Sequence, residues 1–299
     1  MEKDQKQKQF IELMAKFTVY TSKYLPDDVI EKLTWIQNRE KTDLSKTLYS
    51  AMFDNLKTAN KTNSPLCQDT GIIQYYVQMG TRFPLIDHVD DCLLEAVKKA
   101  TVLGPLRHNA VEIFDEKNTG DNTGTRIPWI DHEIIPHSDE ARIYVYLAGG
   151  GCSLPGISKV LMPSDGYEGV IKFIFDQITS YGINACPPLL VGIGISGSMD
   201  VSAKLSKKAL LRPIGSQNSN PIGAEFESMI EEGLNKIKIG PNGLGGEFSV
   251  MGVHVEQAAR HPSTIAVALS TGCWAHRRAL IKIDADMNYE VISHKGATL

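Results

Sequence analysis

Three cysteines constrain this chain more than any other residues do. Cys67 stands in "SPLCQDTG", Cys186 in "NACPPLL" and Cys273 in "STGCWAHRR". Each lies at the edge of a predicted strand or helix, beside Pro, Gly or polar residues, whereas cysteines that fill a core usually sit inside apolar runs. They are far apart in sequence, so no local clip forms, and any ligand that they share has to be assembled by the fold. Zinc is disfavoured, because its paired local ligands are missing. Three thiolates carry a chemical meaning that four do not. An electron-transfer 4Fe–4S cluster normally takes four. A cluster held by three keeps one iron open, able to act as a Lewis acid on a substrate hydroxyl or carboxylate. Cys92, in "DDCLLEAV", falls on a predicted helix among apolar neighbours and reads as core. Cys152, in "GGGCSLPG", is the rival for a fourth ligand, and with it the chain reads as an electron-transfer subunit.

Composition narrows the setting. The chain has 299 residues, 42% of them hydrophobic, enough for one large domain or two modest ones. A net charge of -4 with no long basic run makes nucleic acid a poor partner. The N-terminal "MEKDQKQKQF" lacks the apolar core of a secretory signal, and no apolar stretch is long enough to span a membrane. An odd number of widely spaced cysteines argues against a disulfide framework, so a cytoplasmic enzyme is expected.

Periodicity predicts a mixed α/β fold, in which a helical N-terminal portion leads into an α/β body with a mixed sheet. "FIELMAKFTVYTSKYL" and "LSKTLYSAMFDNLKTA" have helical spacing, and "PDDVIEKL" opens with acidic residues suited to a helix N-terminus. Residues 87–102, 167–180, 199–210 and 223–237 also read as helices. "IIQYYVQM", "ARIYVYLA", "PLLVGIGI", "SVMGVHVE", "TIAVALS" and "ALIKID" read as strands, with "VLMP" a short one. "NTGDNTGTRIPW" reads as a loop, and "GGGCSLPG" as a flexible turn able to offer backbone N–H groups to an anion.

The remaining motifs have bland readings beside the functional ones. "GIGISG" matches a dinucleotide fingerprint, but "RPIGSQNSNP" holds no acid where a ribose would need one. A tight strand-to-helix turn beside Cys186 is the better reading. Arg107, in "PLRHNAVEIFDEKNTG", has a guanidinium suited to a substrate carboxylate, against the plainer reading of a surface arginine. A lone His261 is more often structural than catalytic, and Arg277 and Arg278 read as solvated charges.

Taken in order, "PLCQDTG", "LRHNAVEIFDEKNTGDNTG", "AGGGCSLPG", "KVLMPSDGYEGV", "NACPPLLVGIGI", "LRPIGS" and "MGVHVEQAARHPSTIAVALSTGCWAHRR" closely resemble the iron–sulfur hydro-lyases that include the class I fumarases. "HNAVEIFDEKNTG" and "GCWAHRR" look like the branch that dehydrates tartrate. The resemblance runs from about residue 10 to the end, so residues 1–299 are expected to form one alpha-type catalytic domain, with 1–64 its mainly helical portion. It implies that Cys67, Cys186 and Cys273 bind a 4Fe–4S cluster with one open iron. It implies that Gln68, Asp69, Arg107 and the glycine turn at Gly150 face a dicarboxylate, with His261 lining the same pocket. At the position of Cys152 relatives often carry a small polar residue, which argues against a fourth ligand. Single-chain members continue into a second domain, so a separate beta subunit is implied, in an assembly of two alpha and two beta chains. The implied reaction is dehydration of L(+)-tartrate to oxaloacetate, with fumarate/malate chemistry as the alternative.

Overall fold

Helical spacing at the N-terminus converts directly into burial. In the computed structural model, which describes residues 2–299, α1 spans Glu2–Lys23 and sinks Phe10, Met14 and Phe17 on one face. α2 (Asp27–Gln37) buries Val29, Leu33 and Ile36, and α3 covers Asp43–Thr62. The order then runs β1 (Ile72–Gly80), α4 (Val89–Leu103), β2 (Trp129–Ile135), β3 (Ala141–Ala148), α5 (Gly150–Ser153), β4 (Ile157–Leu161), α6 (Gly166–Tyr181) and β5 (Leu189–Ser196). It finishes with α7 (Met199–Ala209), α8 (Pro221–Lys236), β6 (Val250–Gln257), β7 (Ile265–Gly272), β8 (Arg278–Ile283) and β9 (Tyr289–Val291). The fold is mixed α/β.

Two compact units share these elements. The first takes the chain up to Asp27, Asn55–Gly149 and Arg277–Leu299; the second takes Asp28–Asp54 and Gly150–His276. The helical N-terminal portion is therefore divided between them, with α3 running from the second unit into the first.

The first unit is built on a five-stranded sheet in the order β2-β1-β3-β8-β9. β1 and β2 run parallel and every other pair is antiparallel. Alternation puts Ile73, Tyr75 and Val77 on one face of β1, opposite Leu147, Val145 and Ile143 of β3. Ala279 and Ile281 of β8 continue that row. α1 and α4 bury their apolar faces in the same core, α4 through Leu93, Ala96, Val97 and Ala100. Cys92 belongs to this core, and burial, aided by Asp91, pushes its thiol pKa up to about 11.

The second unit carries a four-stranded sheet in the order β4-β7-β5-β6, with β5 and β6 parallel and β7 antiparallel to both of its neighbours. β5 is buried along almost its whole length, as a central strand covered on both faces must be. Gly192 and Gly194 of "GIGISG" are part of that strand and form the seat for α7. A Cβ at Gly194 would stand 2.0 Å from the Ser202 carbonyl oxygen, and one at Gly192 2.2 Å from that of Ser206. Small residues on α7 complete the contact, with Ser206 Oγ 2.8 Å from Ser270 Oγ and Ser202 Oγ donating to the Ala266 carbonyl at 2.9 Å. The motif is thus strand, not the turn beside Cys186. Its last glycine leaves the C-terminal end of β5, while Cys186 precedes the N-terminal end.

Candidate active site

Chemistry-bearing residues of the first unit gather at one end of its sheet. "PLCQDTG" leads into β1 there. Gly71 has a φ of +76°, and a Cβ on it would lie 2.5 Å from the Ala148 carbonyl carbon, so only glycine lets this loop lie against the end of β3. The turn is held by Asp69, whose Oδ1 accepts from Gly71 N at 2.8 Å. The same oxygen accepts from Asn109 Nδ2 at 2.6 Å, which ties the loop to "RHNA" and so brings Arg107 to the same neighbourhood. Asn109 is in turn fixed by Asn122 Oδ1, which accepts its backbone N–H at 2.7 Å. Gln68 and Arg107 are exposed, Cys67 is half-buried and Thr70 is buried. A recess of about 450 Å³ opens beside them, with Ile72, Ala110, Glu112, Phe114 and Thr125 in its wall.

Two of the three motif cysteines meet at one end of the second unit's sheet. Cys186 precedes β5 and Cys273 follows β7, and these strands are antiparallel with Leu190 opposite Gly272. The Cys186 carbonyl accepts from Trp274 N at 3.2 Å, locking the two loops together. Cys186 itself has φ 54° and ψ 71°, a left-handed conformation rarely adopted by a residue with a side chain, and it is exposed. Such strain concentrates at functional sites. Gly150 opens α5 at this end too, so "GGGCSLPG" holds one helical turn, Gly150–Ser153, before it turns toward β4. Thr271 Oγ1 donates to the Cys152 carbonyl at 2.7 Å and pins that turn to β7. Lys207 of α7 belongs to the same surroundings: burial lowers its pKa below that of an ordinary lysine, and the charge of Cys152 acts in the opposite direction.

His261 lies elsewhere in its unit. It is exposed, it precedes β7, and the backbone of Gly197 beyond β5 is its neighbour. The eight residues of β7 separate it from Cys273 by on the order of 25 Å, at about 3.3 Å per residue.

The arginines after Cys273 are not solvated. Arg277 is 2% and Arg278 3% exposed, because the chain enters the sheet directly and β8 lies between β3 and β9. Sequence reasoning missed this, and it missed Asn109 and Lys207, none of which stands in a chemically telling pattern by itself.

The family model for fumarate hydratase (fumerase) matches residues 11–282. The chain belongs to the fumarate hydratase family. Within it, L(+)-tartrate dehydratase subunit alpha of Escherichia coli (strain K12) is 55% identical over 297 residues, covering 99% of this chain and 98% of the relative. The protein of the same description from Shigella sonnei (strain Ss046) matches equally, and that of Escherichia coli O157:H7 is 54% identical over the same span. The three motif cysteines of this fumarate hydratase family member are spread over both units, Cys67 in the first and Cys186 and Cys273 in the second. Among the described residues no group of three or more His, Cys, Asp or Glu side chains is arranged to hold a metal ion. A cluster makes a different demand, since each thiolate binds its own iron.

Proposed function

We propose that this chain is the alpha subunit of an iron–sulfur hydro-lyase that dehydrates L(+)-tartrate to oxaloacetate. The observation that carries the reading is the identity of 54–55%, over 99% of the chain, to relatives described as L(+)-tartrate dehydratase subunit alpha. A subunit alpha has a partner, and we assign a beta subunit, in an assembly of two alpha and two beta chains, to supply the rest of the site. Among the described residues no helix is long and apolar enough to cross a membrane. Five cysteines without a disulfide suit a reducing compartment, and we assign the cytoplasm.

Cys67, Cys186 and Cys273 would hold a 4Fe–4S cluster. Their chemistry fits, since all three are thiols outside the core and two are brought to one sheet end with Cys186 turned outward by its left-handed backbone. When bound, the cluster supplies one open iron as a Lewis acid for the leaving hydroxyl.

The chain's own residues supply orientation and proton handling. Tartrate loses hydroxide from one carbon and a proton from its neighbour, and the resulting enol tautomerises to oxaloacetate. Hydroxide is a poor leaving group and the C–H proton is barely acidic, so an oriented acid/base group is needed. Asp69 is that group from this chain, fixed through Oδ1 by Asn109 and Gly71. Gln68 and Arg107 contact the dicarboxylate, Arg107 through its planar fork. Gly150 offers its backbone at the start of α5. His261, which precedes β7, is assigned with Asp69 to the catalytic residues.

The matching family description favours a second reading, the alpha subunit of a two-chain fumarase acting on malate and fumarate. Anaerobic turnover of the copurified alpha–beta pair on L-tartrate and on malate/fumarate separates the two. Faster turnover of tartrate is expected; turnover of malate/fumarate alone would overturn the tartrate reading. Replacing Cys186 with Ser is expected to abolish the cluster's visible absorbance, while Cys92→Ser leaves it in place. An intact cluster spectrum in the Cys186 variant would sink the ligand assignment.

A further inference from the structure

Arg277 is a buried charge with nothing among the described residues to answer it. It is 2% exposed, and its Nε and Nη1 are sealed from solvent with no hydrogen-bond partner among the described residues. The group cannot escape by losing its proton, because arginine stays charged in proteins. An uncompensated ion in such a place is costly, so buried charges are found paired. Its position narrows the choice of partner. The Arg277 carbonyl accepts from Leu147 N at 3.1 Å, and the next residue, Arg278, pairs with Tyr146. Arg277 therefore enters the first unit's sheet at the end where β3 runs out at Ala148 and where β1 begins, with Ile72 opposite Ala148. Cys67, Gln68, Asp69 and Asn109 occupy that same end.

We propose that Arg277 binds one carboxylate of the dicarboxylate substrate. Nε and the Nη atoms form a fork that matches a carboxylate in two parallel hydrogen bonds, and a donor held in place without an internal partner loses nothing when the substrate arrives. The inference rests on the proposed dicarboxylate hydro-lyase activity but not on which diacid is used.

The test uses the reconstituted alpha–beta complex with Arg277→Gln, Arg277→Lys and Arg277→Met, each assayed anaerobically on L-tartrate and on malate. Wild-type turnover first decides the substrate, so failure of the tartrate reading is seen separately. For whichever diacid the wild type uses, the Gln and Met variants are expected to raise KM about 10- to 100-fold, the range for hydrogen bonds to a charged group, and Lys to recover part of it. Cluster absorbance and alpha–beta association should be unchanged. Should the Gln variant fail to fold, the Met variant, which leaves no buried polar group, is scored in its place. An unaltered KM overturns the proposal. So does loss of the cluster, which would make Arg277 a cluster-supporting residue, and so does loss of association with a normal KM at saturating beta subunit, which would give the guanidinium a carboxylate on that chain.

Discussion

Arg212 and Arg277 are both withdrawn from solvent, and they are treated in opposite ways. Arg212, in "LRPIGS", spends Nη1 on Glu227 at 2.7 Å, the Val255 carbonyl at 3.1 Å and Glu256 at 3.4 Å. Glu227 is itself saturated, accepting from Val255 N at 2.7 Å and Asn218 N at 2.8 Å. That network ties the loop after α7 to α8 and β6, and its charge is balanced inside the unit. Arg277 has no such network, and Asp69, the carboxylate at its sheet end, is engaged by Asn109 and Gly71 instead. A charge balanced within the fold serves architecture. A charge left unbalanced is kept for a group that comes from outside.

The largest expected effect lies at the end of the first unit's sheet. Asp69→Asn keeps the shape of the turn and removes the acid/base group, so turnover should fall about 100- to 10,000-fold with the cluster intact. Activity within tenfold of wild type would remove Asp69 from the chemistry. Next, Glu227→Ala leaves Arg212 with only the more distant Glu256 and takes the acceptor from the Val255 and Asn218 N–H groups, and should cost about 3–5 kcal/mol in the free energy of urea unfolding. A change below about 1 kcal/mol would end the contrast, since Arg212 would then need its partner no more than Arg277 does. Arg277→Met should leave unfolding stability unchanged or raise it, by about 1 kcal/mol or more, because it deletes an unanswered buried charge. A loss of several kcal/mol there would show a structural partner. The smallest effect belongs to Lys282, on β8 with Arg278. Its bond to Glu140 at 2.7 Å is half exposed, and Lys282→Ala should change stability by less than about 1 kcal/mol.

Much of the architecture could be read from periodicity. β1, β3 and β8 alternate because one face is buried against α1 and α4, and β5 and β7 are continuous apolar runs because both faces are covered. β2 and β9 escaped notice for a common reason. They are the edges of the first sheet, mostly exposed, and "WIDHEII" has no buried row to reveal it. The short helical turn at Gly150 was hidden by its glycines, which score as loop in any local reading. The thiols were legible by their company. Their neighbours were not: the Asn109–Asp69 bond joins residues forty positions apart, and the burial of Arg277 depends on a strand pairing that "HRRAL" does not announce.

The threading of the first unit has a consequence for how the protein is made. Its sheet draws β1 and β3 from the middle of the chain but β8 and β9 from the last segment, Arg277–Leu299, while the whole of Gly150–His276 is synthesised in between. On the ribosome, β3 must wait with an open edge through that entire interval, the kind of exposure that invites wrong pairing. Arg277 is the first residue of the segment that ends the wait, so the step that closes the sheet also delivers the guanidinium to its place.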